Sequence, residues 1–189
     1  EKAGYDTQGR YGISIGKNAG YATQSENSIA IGNSSGNNSQ STGSIGIGYS
    51  SGNTNQGTKS IAIGYAAGNV NQGVGSISIG NEAGSQSQGP YSIGIGYSAG
   101  RTSQSTNSII LNALGTALNT DNSGLYVDPI RYSVDTKKNV MQYDTATKEL
   151  IYGEQIDISG TITSSDISCG TLTTSGLIDT HNNDLSMGS

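Results

Sequence analysis

The sequence predicts an all-β fold, a parallel β-roll or β-solenoid built from 16-residue coils, and three observations carry that expectation. The first is an Ile-x-Ile-Gly core that recurs without a slip as Ile13/Ile15/Gly16, Ile29/Ile31/Gly32, Ile45/Ile47/Gly48, Ile61/Ile63/Gly64, Ile77/Ile79/Gly80 and Ile93/Ile95/Gly96, then weakens to Ile109/Leu111/Asn112. The second is a pair of further columns in the same phase. Gly4, Gly20, Gly36, Gly52, Gly68, Gly84 and Gly100 each follow Ala or Ser, and Gln8, Gln24, Gln40, Gln56, Gln72, Gln88 and Gln104 keep the same interval. The third is repeat length. Sixteen residues with one short β-branched run are too few for a strand plus a crossover helix, but they suit one coil of a solenoid.

Within a coil, side chains of Ser60-Ile61-Ala62-Ile63-Gly64 alternate, so Ile61 and Ile63 share one face while Ser60 and Ala62 share the other. The isoleucines are expected to point into the coil. The expected core is then Ile13, Ile15, Ile29, Ile31, Ile45, Ile47, Ile61, Ile63, Ile77, Ile79, Ile93, Ile95, Ile109 and Leu111. The residues between them, Ser14, Ala30, Gly46, Ala62, Ser78 and Gly94, are all small. Small side chains on an outer strand face are needed where another backbone comes close, so this face is expected to meet sister chains about a common axis. The second half of each repeat, such as Asn69-Val70-Asn71-Gln72-Gly73-Val74, is polar and variable, and is read as outer wall and loop. The Gln column in it is expected to be structural, because a ligand-binding residue has no reason to recur in every rung. The Gly4 column is expected at corners that require φ > 0.

Composition bounds the core and the partners. With 32% hydrophobic residues, no Trp, no Phe and 29 Gly in 189 residues, one large core is excluded. Such a composition often means disorder, but a disordered segment has no reason to hold two β-branched residues in fixed phase, so disorder is rejected for residues 1–112. A net charge of −5 offers no basic stripe for nucleic acid or anionic lipid. No apolar run approaches the length of a membrane span, so no membrane insertion is expected. The single cysteine, Cys169, excludes an internal disulfide. Ala3-Gly4-Tyr5 aligns with Ala19-Gly20-Tyr21, so the chain is expected to begin inside a repeat of something longer.

The Ser-Ile-Ala-Ile-Gly-x-x-Ala-x-Gly pattern over residues 3–112 resembles the head repeats of trimeric autotransporter adhesins, the YadA-like left-handed parallel β-roll. That resemblance implies a homotrimer and a role in surface adhesion. After residue 112 the period breaks, and residues 113–154 are expected to form a β adapter that closes the solenoid end. There Asn139–Tyr143 and Glu149–Tyr152 flank Asp144–Lys148 as a hairpin with a five-residue loop. The strings Gly-Leu-Tyr-Val-Asp-Pro-Ile-Arg and Tyr-Asp-Thr-x-Thr-Lys-Glu-Leu-x-Tyr-Gly resemble fibre proteins of large DNA viruses and tailed phages, which implies a virion fibre. In residues 155–189, Ile162, Ile167, Leu172 and Leu177 lie five apart among Thr, Ser and Gly, as expected of a slim β-rich fibre shaft.

No catalytic, cofactor-binding or metal-ligating residues are expected. The only histidine, His181, lies in a polar string far from Cys169, and no nucleophile, base and orienting group can be assembled. Between residues 1 and 112 the acids are Glu1, Asp6, Glu26 and Glu82, which excludes Asp-bearing calcium turns and disfavours a paired-carboxylate glycosidase. Tyr49, Tyr65 and Tyr97 share a column, and Asn53 and Asn69 share another, a combination that could stack on a receptor glycan. The competing reading is that like residues stack along the solenoid and stabilise it. The expected protein is a non-enzymatic homotrimeric fibre segment, on a virion surface or otherwise extracellular. It would attach to a host-surface glycan or protein, or space the part that does. A bacterial adhesin head and an ice-binding solenoid are the alternatives; the latter needs a flat Thr-rich face, and no column is consistently Thr.

Overall fold

The computed structural model describes residues 2–130 and 140–153. Two parallel sheets make up the first stretch. One contains β1 (Thr7–Gln8), β3 (Thr23–Gln24), β5 (Asn38–Gln40), β7 (Thr54–Gln56), β9 (Val70–Gln72) and β11 (Gln86–Gln88), stacked in chain order. The other contains β2 (Ile13–Ile15), β4 (Ile29–Ile31), β6 (Ile45–Ile47), β8 (Ile61–Ile63), β10 (Ile77–Ile79), β12 (Ile93–Gly96), β13 (Ser108–Asn112) and β14 (Gly124–Asp128). Every strand pairing in both sheets joins residues 16 apart. The chain is therefore a parallel solenoid of about 8 turns with 16-residue coils, as the period predicts.

Each strand inside a sheet is bonded along both edges. Ile45 N–H donates to the Ser60 carbonyl on the next coil at 2.9 Å, and Gly48 N–H donates to the Ile31 carbonyl on the preceding coil at 2.8 Å. Directly after each Ile-x-Ile pair from Ile13/Ile15 to Ile93/Ile95 comes a glycine with φ between 111° and 132°, a conformation that disfavours any side chain. Gly64 has φ +132°, and a Cβ there would collide with the Gly80 carbonyl of the next coil. At Gly16 the corresponding gap to the Gly32 carbonyl oxygen is 2.6 Å. The Gly4 column meets its expectation, with φ between 51° and 61°.

The interior of the coil is the reverse of the expected one. Ala30, Ala62 and Ser78 are fully buried, whereas Ile13 is 44% and Ile15 58% exposed, and Ile79, Ile95, Ile109 and Leu111 also lie open. The remaining isoleucines of the expected core, Ile29, Ile31, Ile45, Ile47, Ile61, Ile63, Ile77 and Ile93, are half-buried. The small residues line the inside and the isoleucines face out. The cause is the Gln column, which is not outer wall: Gln24, Gln40, Gln56, Gln72, Gln88 and Gln104 are all buried. Each reaches across its coil and donates its Nε2 hydrogen to a main-chain carbonyl of the isoleucine sheet. Gln24 bonds Ile13 at 2.7 Å, Gln40 bonds Ile29 at 2.6 Å and Gln72 bonds Ile61 at 2.7 Å. A carboxamide stretched between the sheets leaves room opposite it only for Ser, Ala or Gly. A buried serine in each coil, Ser28, Ser44, Ser60, Ser76 and Ser92, closes the adjoining turn by donating to the carbonyl three residues back.

The interior pairs residues ten apart: Ser14 with Gln24, Ala30 with Gln40, Gly46 with Gln56, Ala62 with Gln72 and Ser78 with Gln88. Where the small partner is serine it satisfies the glutamine oxygen, Ser14 Oγ donating to Gln24 Oε1 at 2.6 Å and Ser78 Oγ to Gln88 Oε1 at 2.5 Å. Where the partner is Ala or Gly, Oε1 of Gln40, Gln56 and Gln72 is buried without a hydrogen bond. On the last coil the pair is inverted in size. Thr120 stands where glutamine would be, and Ile110 is fully buried opposite it. An apolar plug replaces the carboxamide bridge.

The sheet also runs past the expected boundary at residue 112. Strand β14 pairs in register with β13, Ile109 with Leu125 and Leu111 with Val127, so the segment read as the start of an adapter supplies the eighth strand of the solenoid sheet. The 16-residue interval survives even where the motif has faded. In the second stretch, β15 (Val140–Tyr143) and β16 (Leu150–Gly153) pair antiparallel with Tyr143 opposite Leu150. Asp144 Oδ1 accepts from Ala146 and Thr147 N–H at 2.7 and 3.1 Å, which holds the connecting turn. The hairpin and the solenoid belong to separate compact units. The expected shaft, 155–189, lies outside the described residues.

Two variants test this interior by urea unfolding. Gly64→Ala is expected to cost about 3 kcal/mol or more, because a left-handed backbone and a carbonyl contact are both violated. Gly115→Ala, where a Cβ meets nothing within 4 Å, is expected to change little. Ala62→Ser is expected to stabilise by about 1 kcal/mol by supplying the donor that Gln72 lacks, and no gain would contradict the pairing. In the hairpin turn, the backbone N–H groups of Thr147 and Ala146 hold the Asp144 carboxyl below the usual aspartate range. The charged form is favoured by the fold, so this contribution is present above the usual range and lost as pH falls through the lowered value. An NMR titration is expected to find Asp144 ionising at lower pH than an unstructured aspartate.

Candidate interaction surface

The outward face of the eight-stranded sheet is built from two residues per strand. Strand alternation around one small inward residue sends both isoleucines of Ile-x-Ile outward, and the parallel register stacks them into two columns from Ile13/Ile15 to Leu125/Val127. Their side chains stand next to like side chains at a spacing of roughly 4.8 Å. At one end the face dips into an apolar groove of about 320 Å³ lined by Ile95, Leu111, Val127 and Pro129 among others. A continuous apolar row, half-buried to exposed along its length, is unusual for a single soluble chain, and such patches mark interaction sites.

Two rims border this face. The residue two before each outward pair is Tyr11, Asn27, Gly43, Lys59, Gly75 or Tyr91, and the residue two after is Lys17, Asn33, Tyr49, Tyr65, Asn81 or Tyr97. Tyr49 and Tyr65 are exposed, and their rings stack at 5.2 Å with planes 8° apart. The stack covers one face of each ring, which leaves the outer faces and edges for any ligand. Tyr97, two coils on, is also exposed and stands apart from that pair.

The asparagine column has an intramolecular occupation that sequence reasoning missed. Asn53 Nδ2 donates to the Ser34 carbonyl and Asn69 Nδ2 to the Ser50 carbonyl, each at 2.8 Å and 19 residues back. Asn37 does the same to Asn18 at 2.9 Å. The carbonyls served belong to residues held in the left-handed region, Asn18 at φ 55°, Ser34 at 56° and Ser50 at 50°. Each asparagine thus clips its coil to the one before. In the same two columns, Arg101 replaces the asparagine and pairs with Glu82 at 3.1 Å. The signal that could have found the clip is the 19-residue offset between an amide column and a Ser/Asn column.

Among the described residues no group of three or more His, Cys, Asp or Glu could hold a metal ion, and no helix is long and apolar enough to cross a membrane. Comparisons with known protein families, with curated proteins and with solved structures found no match to this chain.

Asn69→Ala is expected to lower solenoid stability by about 1 kcal/mol, since it leaves a carbonyl without its donor. Asn69→Asp, which keeps the shape and removes the donor, should cost at least as much in a thermal melt; an unchanged melting temperature for both would contradict the clip.

Proposed function

We propose that this chain is a non-catalytic segment of a homotrimeric fibre, of the YadA-like kind, that projects from a virion surface and mediates or spaces attachment to a host. The observation that carries this reading is the two-column isoleucine face on an otherwise polar solenoid. A coil whose interior is Gln, Ser, Ala and Gly buries little apolar surface of its own. Its apolar residues lie outside, where only another surface can remove them from water. Identical, in-register columns on every copy suit closed cyclic association, in which three such faces meet about one axis. The shared face is then the isoleucine face. The small-residue face, first expected in that place, is inside the coil and cannot serve.

Attachment is the function such an assembly supports, since its repeating coils extend a surface and no catalytic constellation is needed. The partner on the host side would be a surface glycan or protein, met by the coil walls or by a neighbouring part of the fibre. The resemblance of residues 113–154 to virion fibre strings favours a virus over a bacterium.

Light scattering of the purified chain tests the reading. A particle of three chains is expected. Ile63→Lys, on the outward face, should yield folded monomers with unchanged far-UV circular dichroism, because the substitution touches the association surface and not the interior. A wild-type monomer would overturn the trimer. So would a trimer that survives Ile31→Lys, Ile63→Lys and Ile95→Lys together.

A further inference from the structure

We propose that copies of this chain associate rim to rim and in register, with Lys59 of one copy seated on the Tyr49–Tyr65 stack of the next. The inference rests on the trimeric reading above and names its specificity contact. In a ring of copies related by rotation about an axis parallel to the coil stack, equal rungs stand at equal height. The leading rim of each isoleucine face then meets the trailing rim of the neighbour.

At equal height the two rims are complementary. Lys59 meets Tyr65, Asn27 meets Asn33, and Tyr91 meets Tyr97, all of them exposed in the single chain. The central match is the most specific. The Lys59 stem lies toward the preceding coil, where Gly43 leaves space for it: a Cβ at Gly43 would stand 3.7 Å from Lys59 Cγ. The lysine is thereby set beside the heights of both Tyr49 and Tyr65, the two rings that stack 5.2 Å apart. Among the described residues the ion pair is that of Arg101 with Glu82, and no described acid pairs with Lys59.

The chain already displays this recognition within itself. Lys2 Nζ lies 4.1 Å from the Tyr5 ring centroid and 5.9 Å from that of Tyr21. Those two rings stack at 5.4 Å and 7°, nearly the geometry of Tyr49 and Tyr65. A cation against a stacked tyrosine pair is a favourable electrostatic contact, and it strengthens when association removes water. It also fixes register. A slip by one coil would bring Lys59 beside Asn81 in one direction and Asn33 in the other as the limit of its reach, so only the in-register arrangement gives it both rings.

Paired cysteines on a Cys169→Ser background test the contact with a short bismaleimide and a denaturing gel. Lys59→Cys with Tyr65→Cys, and separately Asn27→Cys with Asn33→Cys, are expected to give covalent trimers. Asn27→Cys with Tyr97→Cys, four coils out of register, is expected to give none. Lys59→Gln and Tyr65→Leu should each weaken association, and the double variant no more than the worse single one. Three-chain particles by light scattering that fail to cross-link in both matched pairs, or cross-link equally in the mismatched pair, would overturn the rim contact and leave the trimer standing. Additive effects of the two substitutions would overturn the lysine–tyrosine contact. Monomers in solution would overturn the trimeric reading, and the rim contact with it.

Discussion

A carboxamide held between two sheets sets the dimensions of this solenoid. In each central coil a glutamine side chain leaves one sheet and donates to a main-chain carbonyl of the other, as Gln40 does to Ile29 at 2.6 Å and Gln72 to Ile61 at 2.7 Å. The reach of that side chain fixes the gap between the sheets. Everything else in the coil conforms: the facing residue must be Ser, Ala or Gly, the isoleucines on either side of it must turn outward, and the glycine after the strand must let the next coil's backbone come close. The last coil shows the rule by exception, since Thr120 replaces the glutamine and Ile110 occupies the freed volume.

The consequence for energetics is a core held by hydrogen bonds. A typical hydrogen bond contributes only about 1 kcal/mol net, because the unfolded chain bonds to water instead. Three glutamine oxygens, on Gln40, Gln56 and Gln72, lack even that return. On the proposed association, covering the outer isoleucines would add stability to a solenoid that folds with little buried apolar area of its own. The same logic explains why the coils repeat so strictly. Each is a complete hydrogen-bonded unit whose edges match the next, and a coil that lost its glutamine or its glycine would disturb two neighbours.

Much of this was legible in the sequence, and the errors are informative. The period, the parallel coils and the positive-φ corners followed from Ile61/Ile63/Gly64 and the Gly68 column. Alternation separated Ile61 and Ile63 from Ala62 correctly, but alternation cannot say which face is inside. Apolar burial is a tendency of cores large enough to hold the side chains, and here the space is one glutamine deep. The invariant Gln column and the serine column Ser28 to Ser92 were the available clue, since polar residues that never vary on a supposed outer wall have partners inside. Leu125 and Val127 lie 16 residues after Ile109 and Leu111, so β14 was also readable by interval, though Asn112 had broken the motif. The asparagine clips and the tyrosine stack depend on where side chains meet between coils, which a column of letters does not encode.

Hydrogen exchange of the glutamine side-chain amides, followed by NMR, tests the polar interior most directly. The account predicts slow exchange at Gln24, Gln40, Gln56, Gln72, Gln88 and Gln104, each buried and bonded, and exchange near the solvent rate at Gln8, which is exposed. Solvent-like exchange along the whole column would place the glutamines on the outer wall and the isoleucines within, and would contradict the account.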